Sequence, residues 1–450
     1  MSHYHFIGIG GVSMSGIAMI LKERGHQISG SDRSPSSATE TLEEAGITVS
    51  YPQSAKNIVP GIDTVVFTAA IPSDNPELVE ARRQGIRTIE RSVMLGELLS
   101  EYDTPIGVAG THGKTSTSSM LSCIHLAAGL DPTIQIGGTL ASSGTNYRVG
   151  HGDSMIIESC EYCDSFLQFR TKYAVVTNIE AEHLDYFKTF DNVKKSFRKF
   201  AEIMIPGGAL ITSTECAPLF EGIDNPIVTV SLTEPADITA ADIHHFSDHP
   251  GSSFHVIWHG QDLGLAEIFV PGDHLVYDAL CACAVALSED IGIQSIFEGL
   301  ASYRPTKRRF ELRGKYQGAL VVDDYAHHPS EITATLKAAR ELSFREMTVV
   351  FQPHTYSRTI SFYDDFVSAL SLADHVILAD IYAAREVDTG AVSSKMLADS
   401  LVEKGVDARY FCSFDEIKKF LEKNISTDDL LITMGAGDIV NIANDLTKGQ

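Results

Sequence analysis

Nine short apolar runs alternate with helix-compatible stretches along the chain, and this alternation constrains the fold more than any single motif. The runs are "YHFIGIG", "DTVVFTAA", "PIGVAG", "SMIIES", "YAVVTNI", "GALVVDDYA", "MTVVFQP", "DHVILAD" and "DLLITMGAG". Strand-helix repetition of this kind predicts an α/β protein with mostly parallel sheets covered by helices. One helix is legible in Phe190, Val193, Phe197, Phe200 and Met204, whose three- and four-residue spacing makes a single apolar face and assigns these side chains to core. No short-period repeat or low-complexity tract stands out, which removes solenoid architectures.

The length of 450 residues and an apolar content of 44% allow several domains with real cores. Punctuation by "GIGGVSMSG", by the lysine loop "GTHGKT" and by "LASYRPTKRRF" divides the chain into three α/β domains, 1–103, 104–304 and 305–450. A net charge of -24 argues against a nucleic-acid partner or an anionic membrane surface. The opening "MSHYHFIGIGG" has no cationic segment followed by a long apolar one, so no membrane insertion and a cytoplasmic location are expected. Seven scattered cysteines read as reduced thiols; Cys160 and Cys163 have zinc-like spacing but lack a second pair. Composition leaves monomer and homodimer equally open.

Glycines and polar clusters at the ends of the apolar runs carry the chemistry. In "IGVAGTHGKTSTSSML" a strand-like run leads into Gly110, Thr111, His112, Gly113, Lys114, Thr115 and Ser116 and then a helical pattern. Such a loop cradles phosphate on backbone N–H groups, with the lysine on the β- and γ-phosphates and a hydroxyl on Mg²⁺. Val108 stands where the full pattern wants glycine, so only the "GTHGKT" core is claimed. Gly8, Gly10 and Gly11 also follow a strand, and Asp32 ends the next one about twenty residues on, where an acid binds a ribose. The glycines are expected to let backbone N–H groups approach a nucleotide phosphate. "ESCEYCDSF" and "NIEAEHLDYF" place Glu158, Glu161 and His183 after two further strands, as candidate metal ligands. In the third domain Asp323, Asp324, Tyr325, His327, His328, His354 and Arg358 are too polar a set for packing alone. Arg308 and Arg309 read equally as part of a cleft or as a solvated basic linker.

Taken in order, "HFIGIGG", "SGSD", "ERSVMLGELL", "GTHGKTSTS", "NIEAEHLDYF", "RRF", "DDYAHHPSEI", "FQPHTYSRT" and "MGAGDI" resemble the Mur ligase family of peptidoglycan synthesis, nearly over the whole chain. "DDYAHHP" with "FQPHTYSRT" resembles its alanine-adding branch. The resemblance implies a Rossmann-like UDP-sugar domain, a central P-loop ATPase-type domain and a Rossmann-like amino-acid domain. It implies ATP and Mg²⁺ as cofactors, with UDP-N-acetylmuramate and L-alanine as substrates joined through an acyl phosphate. Carried over by position, Gly8, Gly10, Gly11, Ser31, Asp32, Ala69 and Ala70 take the UDP-sugar. Gly110 to Ser116, Asp278, Arg309 and Asp324 take ATP. Thr115, Glu161 and His183 match the metal positions, and Tyr325, His327, His354 and Arg358 the alanine pocket. Lys114, His183 and Arg358 are the implied catalytic groups, Arg358 pairing the substrate carboxylate.

Four positions depart from the family pattern. Leu275 and Asp278 in "DHLVYDAL" stand where two Asn are usual in the adenine-contacting segment, which predicts weak or unselective adenine binding. Cys160 alters the acidic pair before Glu161, and Ser13 replaces a usual glycine beside the nucleotide phosphates. The competing readings are a family member that recycles an intact tripeptide, a ligase-derived binding protein without turnover, and a nicotinamide-dependent dehydrogenase. The last leaves the lysine loop unexplained.

Overall fold

A computed structural model describes residues 1–138, 144–247, 249–305 and 307–448. By its contacts the chain forms two compact units. One comprises Met1–Ala241, His255–Ala266 and Tyr277–Tyr303; the other comprises Asp242–Phe254, Glu267–Val276 and Arg304–Gln450.

The first unit opens with a five-stranded parallel sheet, ordered Thr48–Ser50, Gln27–Ser31, His3–Ile7, Thr64–Phe67, Arg87–Glu90. Its strand order reverses between His3–Ile7 and Thr64–Phe67, the crevice where open α/β sheets bind ligands. The glycine turn after Ile7 and the Thr68–Ile71 turn both end there.

The middle sheet has ten strands. Its parallel centre runs Ile227–Ser231, Leu210–Ser213, Tyr173–Val176, Thr104–Ala109, Ser154–Glu158, Thr133–Gln135. Thr104–Ala109 therefore has Tyr173–Val176 on one side and Ser154–Glu158 on the other, and the loops leaving these three strands converge. Tyr173–Val176 is buried throughout, which is why it reads as an unbroken apolar run. The helix Phe190–Glu202 starts on Thr189, whose hydroxyl accepts the Asn192 N–H, and buries Val193, Phe197 and Phe200. Met204 is buried too, but two residues past the helix end, so the apolar spacing overran the helix. Phe200 stacks on Phe166 with centroids 4.8 Å apart. Each such buried ring contributes roughly 1.5–3 kcal/mol.

The middle sheet is extended by Ile238–His245, which pairs parallel with Ile227–Ser231, and beyond it by Ser252–Trp258 and Gln261–Ile268. These were absent from the nine runs. Trp258 and Gln261 are joined by His259 and Gly260, both at positive φ (47° and 79°), a turn that matches the twist of a hairpin.

The second unit carries a six-stranded sheet, ordered Glu311–Tyr316, Ala319–Asp324, Leu430–Met434, Met347–Phe351, His375–Leu378, Asp407–Tyr410. All pairings are parallel except the first, a hairpin turned by Gln317 and Gly318, again at positive φ. Met347–Phe351 and Leu430–Met434 are buried along their whole length. The C-terminal ends of Ala319–Asp324 and Met347–Phe351 flank that of Leu430–Met434, so three loops again share one edge.

Candidate active site

The phosphate loop is held from below by the neighbouring strand. The Thr177 hydroxyl donates to the His112 carbonyl at 2.5 Å, and Asn178 accepts the His112 N–H at 2.9 Å while donating back to its carbonyl at 3.1 Å. Thr111 N–H donates to the Asn178 carbonyl at 3.1 Å, and the Thr111 hydroxyl accepts the Glu180 N–H at 2.9 Å. Tyr277 fixes this support in turn, donating to the Thr177 carbonyl at 2.8 Å. Gly110 and Gly113 sit at φ 135° and 83°, which a side chain would strain. The helix Lys114–Ala127 then starts on Gly113 with no side-chain cap, leaving its first-turn amides and positive end for an anion. Ser116, Thr117, Ser118 and Ser119 are all buried on that helix. Further along the same helix, Gly299 of the helix Ile293–Ser302 packs directly on Ile124.

The Lys114 ammonium lies back over the loop, donating to the Gly110 carbonyl and, at 3.0 Å, to that of Thr111. Its third neighbour is Glu161 Oε2 at 3.4 Å. Burial pulls the lysine pKa down, but Glu161, with Cys160, Glu158 and Glu182, outweighs it and the net shift is upward. Lys114 is thus a fixed cation.

Glu161, Glu182 and His183 gather their ligand atoms within 4.8 Å of one another. His183 Nε2 is 3.7 Å from Glu161 Oε1, and the Tyr162 ring lies 4.8 Å from the imidazole. His183 reaches this position through a left-handed backbone, φ 54°. Two carboxylates and an imidazole beside a phosphate loop form a donor set that suits a divalent cation shared with phosphate oxygens. Glu182 was missed in the sequence, although it adjoins His183. Glu158 does something else: its carboxylate accepts the Gly137 N–H at 2.7 Å. Thr115 and Ser116 stand in the first turn of the loop helix. Asp278 is buried against the loop, and a Cβ on Gly113 would overlap its carboxylate. None of the seven cysteines is in a disulfide, and the Glu161 cluster contains none of them.

The N-terminal glycine turn corrects one expectation. Its amides are used internally: Gly8 and Ile9 donate to the Ser31 carbonyl at 2.8 and 3.0 Å, Gly10 to Asp32 at 2.8 Å, and Gly11 to the Gly8 carbonyl at 3.1 Å. Ser31 and Asp32 therefore shape the turn, and the Ser31 hydroxyl is anchored from behind by the fully buried Glu77 at 2.5 Å. The groups that face outwards belong to the next turn of chain, the uncapped start of the helix Val12–Glu23. There Arg91 donates to the Ser13 hydroxyl at 3.0 Å, so Ser13 brings a cation rather than only bulk. Ala69 and Ala70 lie on the Thr68–Ile71 turn, and Ile71 packs over Gly8.

In the second unit, Tyr325, His327 and His354 form a chain of rings with centroids 5.3 and 5.8 Å apart. Arg358 Nη1 lies 3.3 Å from His354 Nδ1. Arg309 sits over the Tyr325 ring at 5.5 Å. Asp324, nearly buried, accepts the N–H groups of Phe310 and Ala326, each at 2.7 Å; burial pushes its pKa up to about 6 against the pull of Arg309 and these bonds. Arg308 is not a solvated linker. Its guanidinium meets Asp323 at 3.1 Å and the carbonyls of Gly437 (3.0 Å) and Gly435.

Comparison with known proteins now decides the family. Residues 3–103 match the model described as Mur ligase family, catalytic domain, residues 108–286 the Mur ligase middle domain, and residues 308–437 the Mur ligase, glutamate ligase domain. A UDP-N-acetylmuramate–L-alanine ligase of Agathobacter rectalis is 49% identical over 449 residues, 99% of this chain and 98% of that protein. The chain belongs to the Mur ligase family. A second relative of this Mur ligase, the UDP-N-acetylmuramate–L-alanine ligase of Caldanaerobacter subterraneus, is 43% identical and covers 97% of the chain and 95% of its own length. Among solved structures, the UDP-N-acetylmuramate-alanine ligase of Thermotoga maritima superposes with a TM-score of 0.84 at 28% identity, covering 100% of this chain and 99% of its own. A murein peptide ligase of Psychrobacter arcticus gives 0.67 at 26% identity, covering 99% and 98%.

The residues singled out in the sequence of this Mur ligase fall into three groups. Lys114, Thr115, Glu161, His183 and Asp278 come together around the phosphate loop. Arg309, Asp324, Tyr325, His327, His354 and Arg358 come together at one edge of the C-terminal sheet. Gly8, Gly10, Gly11, Ser31, Asp32, Ala69 and Ala70 share the crevice of the first sheet. Leu275 is a buried apolar side chain. Besides Glu182, sequence reading passed over Arg91, whose only signal was a basic residue opening "RSVMLGELL".

Proposed function

We propose that this Mur ligase joins L-alanine to the lactyl carboxylate of UDP-N-acetylmuramate with cleavage of ATP. What carries this reading is kinship along the whole length to ligases of that name. The higher TM-score of the alanine ligase of Thermotoga maritima over the murein peptide ligase favours alanine over a tripeptide. No described helix is long and apolar enough to cross a membrane, and we assign the reaction to the cytoplasm.

In this reaction the lactyl carboxylate attacks the γ-phosphorus, forming an acyl phosphate and releasing ADP. The amine of alanine then attacks the acyl carbon and gives up a proton to solvent, the acyl C–O bond breaks, and inorganic phosphate leaves with that oxygen and the electron pair. The chain's contribution is positioning and charge neutralisation. Lys114 exchanges its loop carbonyls for phosphate oxygens, and the first-turn amides from Lys114 to Ser116 receive the remaining charge. Glu161, Glu182 and His183 are the residues that would hold Mg²⁺, which would there offset the repulsion between carboxylate and triphosphate. Asp278 belongs to the ATP site beside Gly113, and in the second unit Asp324 braces Phe310 next to Arg309. The start of the helix Val12–Glu23, with Arg91, receives the diphosphate of the UDP-sugar. Tyr325, His327, His354 and Arg358 receive alanine, Arg358 pairing its carboxylate.

The test is phosphate release from the purified protein with ATP, Mg²⁺ and UDP-N-acetylmuramate, adding L-alanine, L-serine, glycine or tripeptide in turn. Release fastest with L-alanine is expected. Release only with tripeptide makes the protein a recycling ligase, and none with any acceptor makes it a binding protein.

A further inference from the structure

The segment after the strand His375–Leu378 was not marked by any sequence motif, yet it is bonded to the turn that carries His354 and Arg358. Tyr382 forms a parallel bridge with His354: Tyr382 N–H donates to the Pro353 carbonyl at 2.8 Å, and Thr355 N–H to the Tyr382 carbonyl at 2.9 Å. Thr355 has φ 68°, a costly conformation for a β-branched residue, and this bond helps hold it. Glu386 accepts from both the Ser357 N–H, at 2.9 Å, and its hydroxyl. The Tyr382 ring lies over the His354 imidazole with centroids 5.6 Å apart and planes 20° apart. It can lie there because position 437 is glycine: a Cβ would stand 2.9 Å from the ring.

This arrangement settles which nitrogen of His354 carries the proton. Arginine only donates, so with Arg358 Nη1 3.3 Å away Nδ1 is the acceptor and Nε2 bears the hydrogen. Burial, with His327 and Arg358 adding to it, lowers the His354 pKa to about 4, in agreement with a neutral ring. A neutral imidazole with Nδ1 occupied has one N–H to give.

We propose that Tyr382 is a positioning residue of the amino-acid site, its ring and backbone fixing the His354 imidazole so that Nε2–H is offered to the carboxylate of the incoming amino acid. The proposal rests on the reading that His354 and Arg358 receive alanine. It makes Tyr382 matter for the affinity of one substrate out of three.

The experiment is steady-state kinetics of the full chain with ATP, UDP-N-acetylmuramate and L-alanine. Tyr382→Leu should raise the KM for alanine about tenfold or more, with the other two KM values within about twofold and kcat within about threefold. Tyr382→Phe should restore the parent value, because the ring and not the hydroxyl does the positioning. Tyr382→Met, similar in volume but without a ring, should repeat the Leu result and replaces it if the Leu variant does not fold. Equal effects on all three KM values, or no rescue by Phe, would overturn the proposal as a merely structural role. His354→Ala runs in parallel. If it raises the alanine KM while the Tyr382 variants do not, the proposal alone fails; if it leaves that KM unchanged, the alanine-site reading fails and the proposal with it.

Discussion

Glu161 faces Lys114 and His183 at once: one carboxylate oxygen lies 3.4 Å from Lys114 Nζ and the other 3.7 Å from His183 Nε2. Glu161 is 2% exposed, so both relationships act where water screens little. The lysine of the phosphate loop and the histidine of the candidate metal set are thereby coupled through one side chain, although 69 positions separate them in the chain (183 − 114).

Lys114→Ala should lower turnover by roughly a hundredfold or more, through loss of transition-state charge stabilisation. It also removes the donors to the Gly110 and Thr111 carbonyls, so a stability loss of about 1–2 kcal/mol is expected. Circular dichroism and a thermal melt check the fold beside the assay. A folded variant with near-normal turnover would remove Lys114 from the triphosphate.

Glu182→Gln should raise the Mg²⁺ concentration giving half-maximal activity by roughly tenfold, since one anionic oxygen of the Glu161, Glu182, His183 set is lost. Saturating Mg²⁺ should recover most of kcat. An unchanged Mg²⁺ titration would take Glu182 out of the site.

Asp278→Asn should tighten ATP several-fold, because a buried carboxylate against Gly113 opposes a triphosphate on that loop. The KM for ATP is the readout, with the KM for UDP-N-acetylmuramate as the control. A weaker ATP KM in the variant would mean that the carboxylate accepts a bond from the nucleotide base.

The pH dependence of alanine binding should carry no titration from His354 in the neutral range. Its folded pKa, lowered to about 4 from an ordinary 6.5, keeps the ring neutral above about pH 5. A depressed histidine pKa means that the unfolded chain binds the proton more tightly. The resulting stability is present above 6.5 and is lost as pH falls toward 4. The alanine KM should thus be flat between about pH 6 and 8 as far as His354 is concerned. A step there that disappears in His354→Gln would show the imidazole to be titrating.

Much of this molecule was legible in the sequence because parallel sheets bury both faces of their strands. All nine apolar runs became strands, and the loops following them hold the candidate site side chains. The phosphate loop was equally readable, since strand, glycines, lysine and helix are contiguous and the chemistry of the loop is local. Ser252–Trp258, Gln261–Ile268 and Glu311–Tyr316 escaped: they are half-exposed, and their turns use His259-Gly260 and Gln317-Gly318 where the strong signals are Asn-Gly or Asp-Gly. What only the tertiary structure decided is how a given polar group is spent. The amides of Gly8 to Gly11 look in sequence like a phosphate cradle, but Ser31 and Asp32, brought alongside by strand pairing, take three of them and Gly8 the fourth. Glu182 joins Glu161 and His183 because two loops meet, and Tyr382 covers His354 because one strand end follows another and glycine at 437 leaves room. Residue type and spacing determined what could be donated; the packing of distant strands determined to whom, since a hydrogen bond needs its partner within about 3 Å.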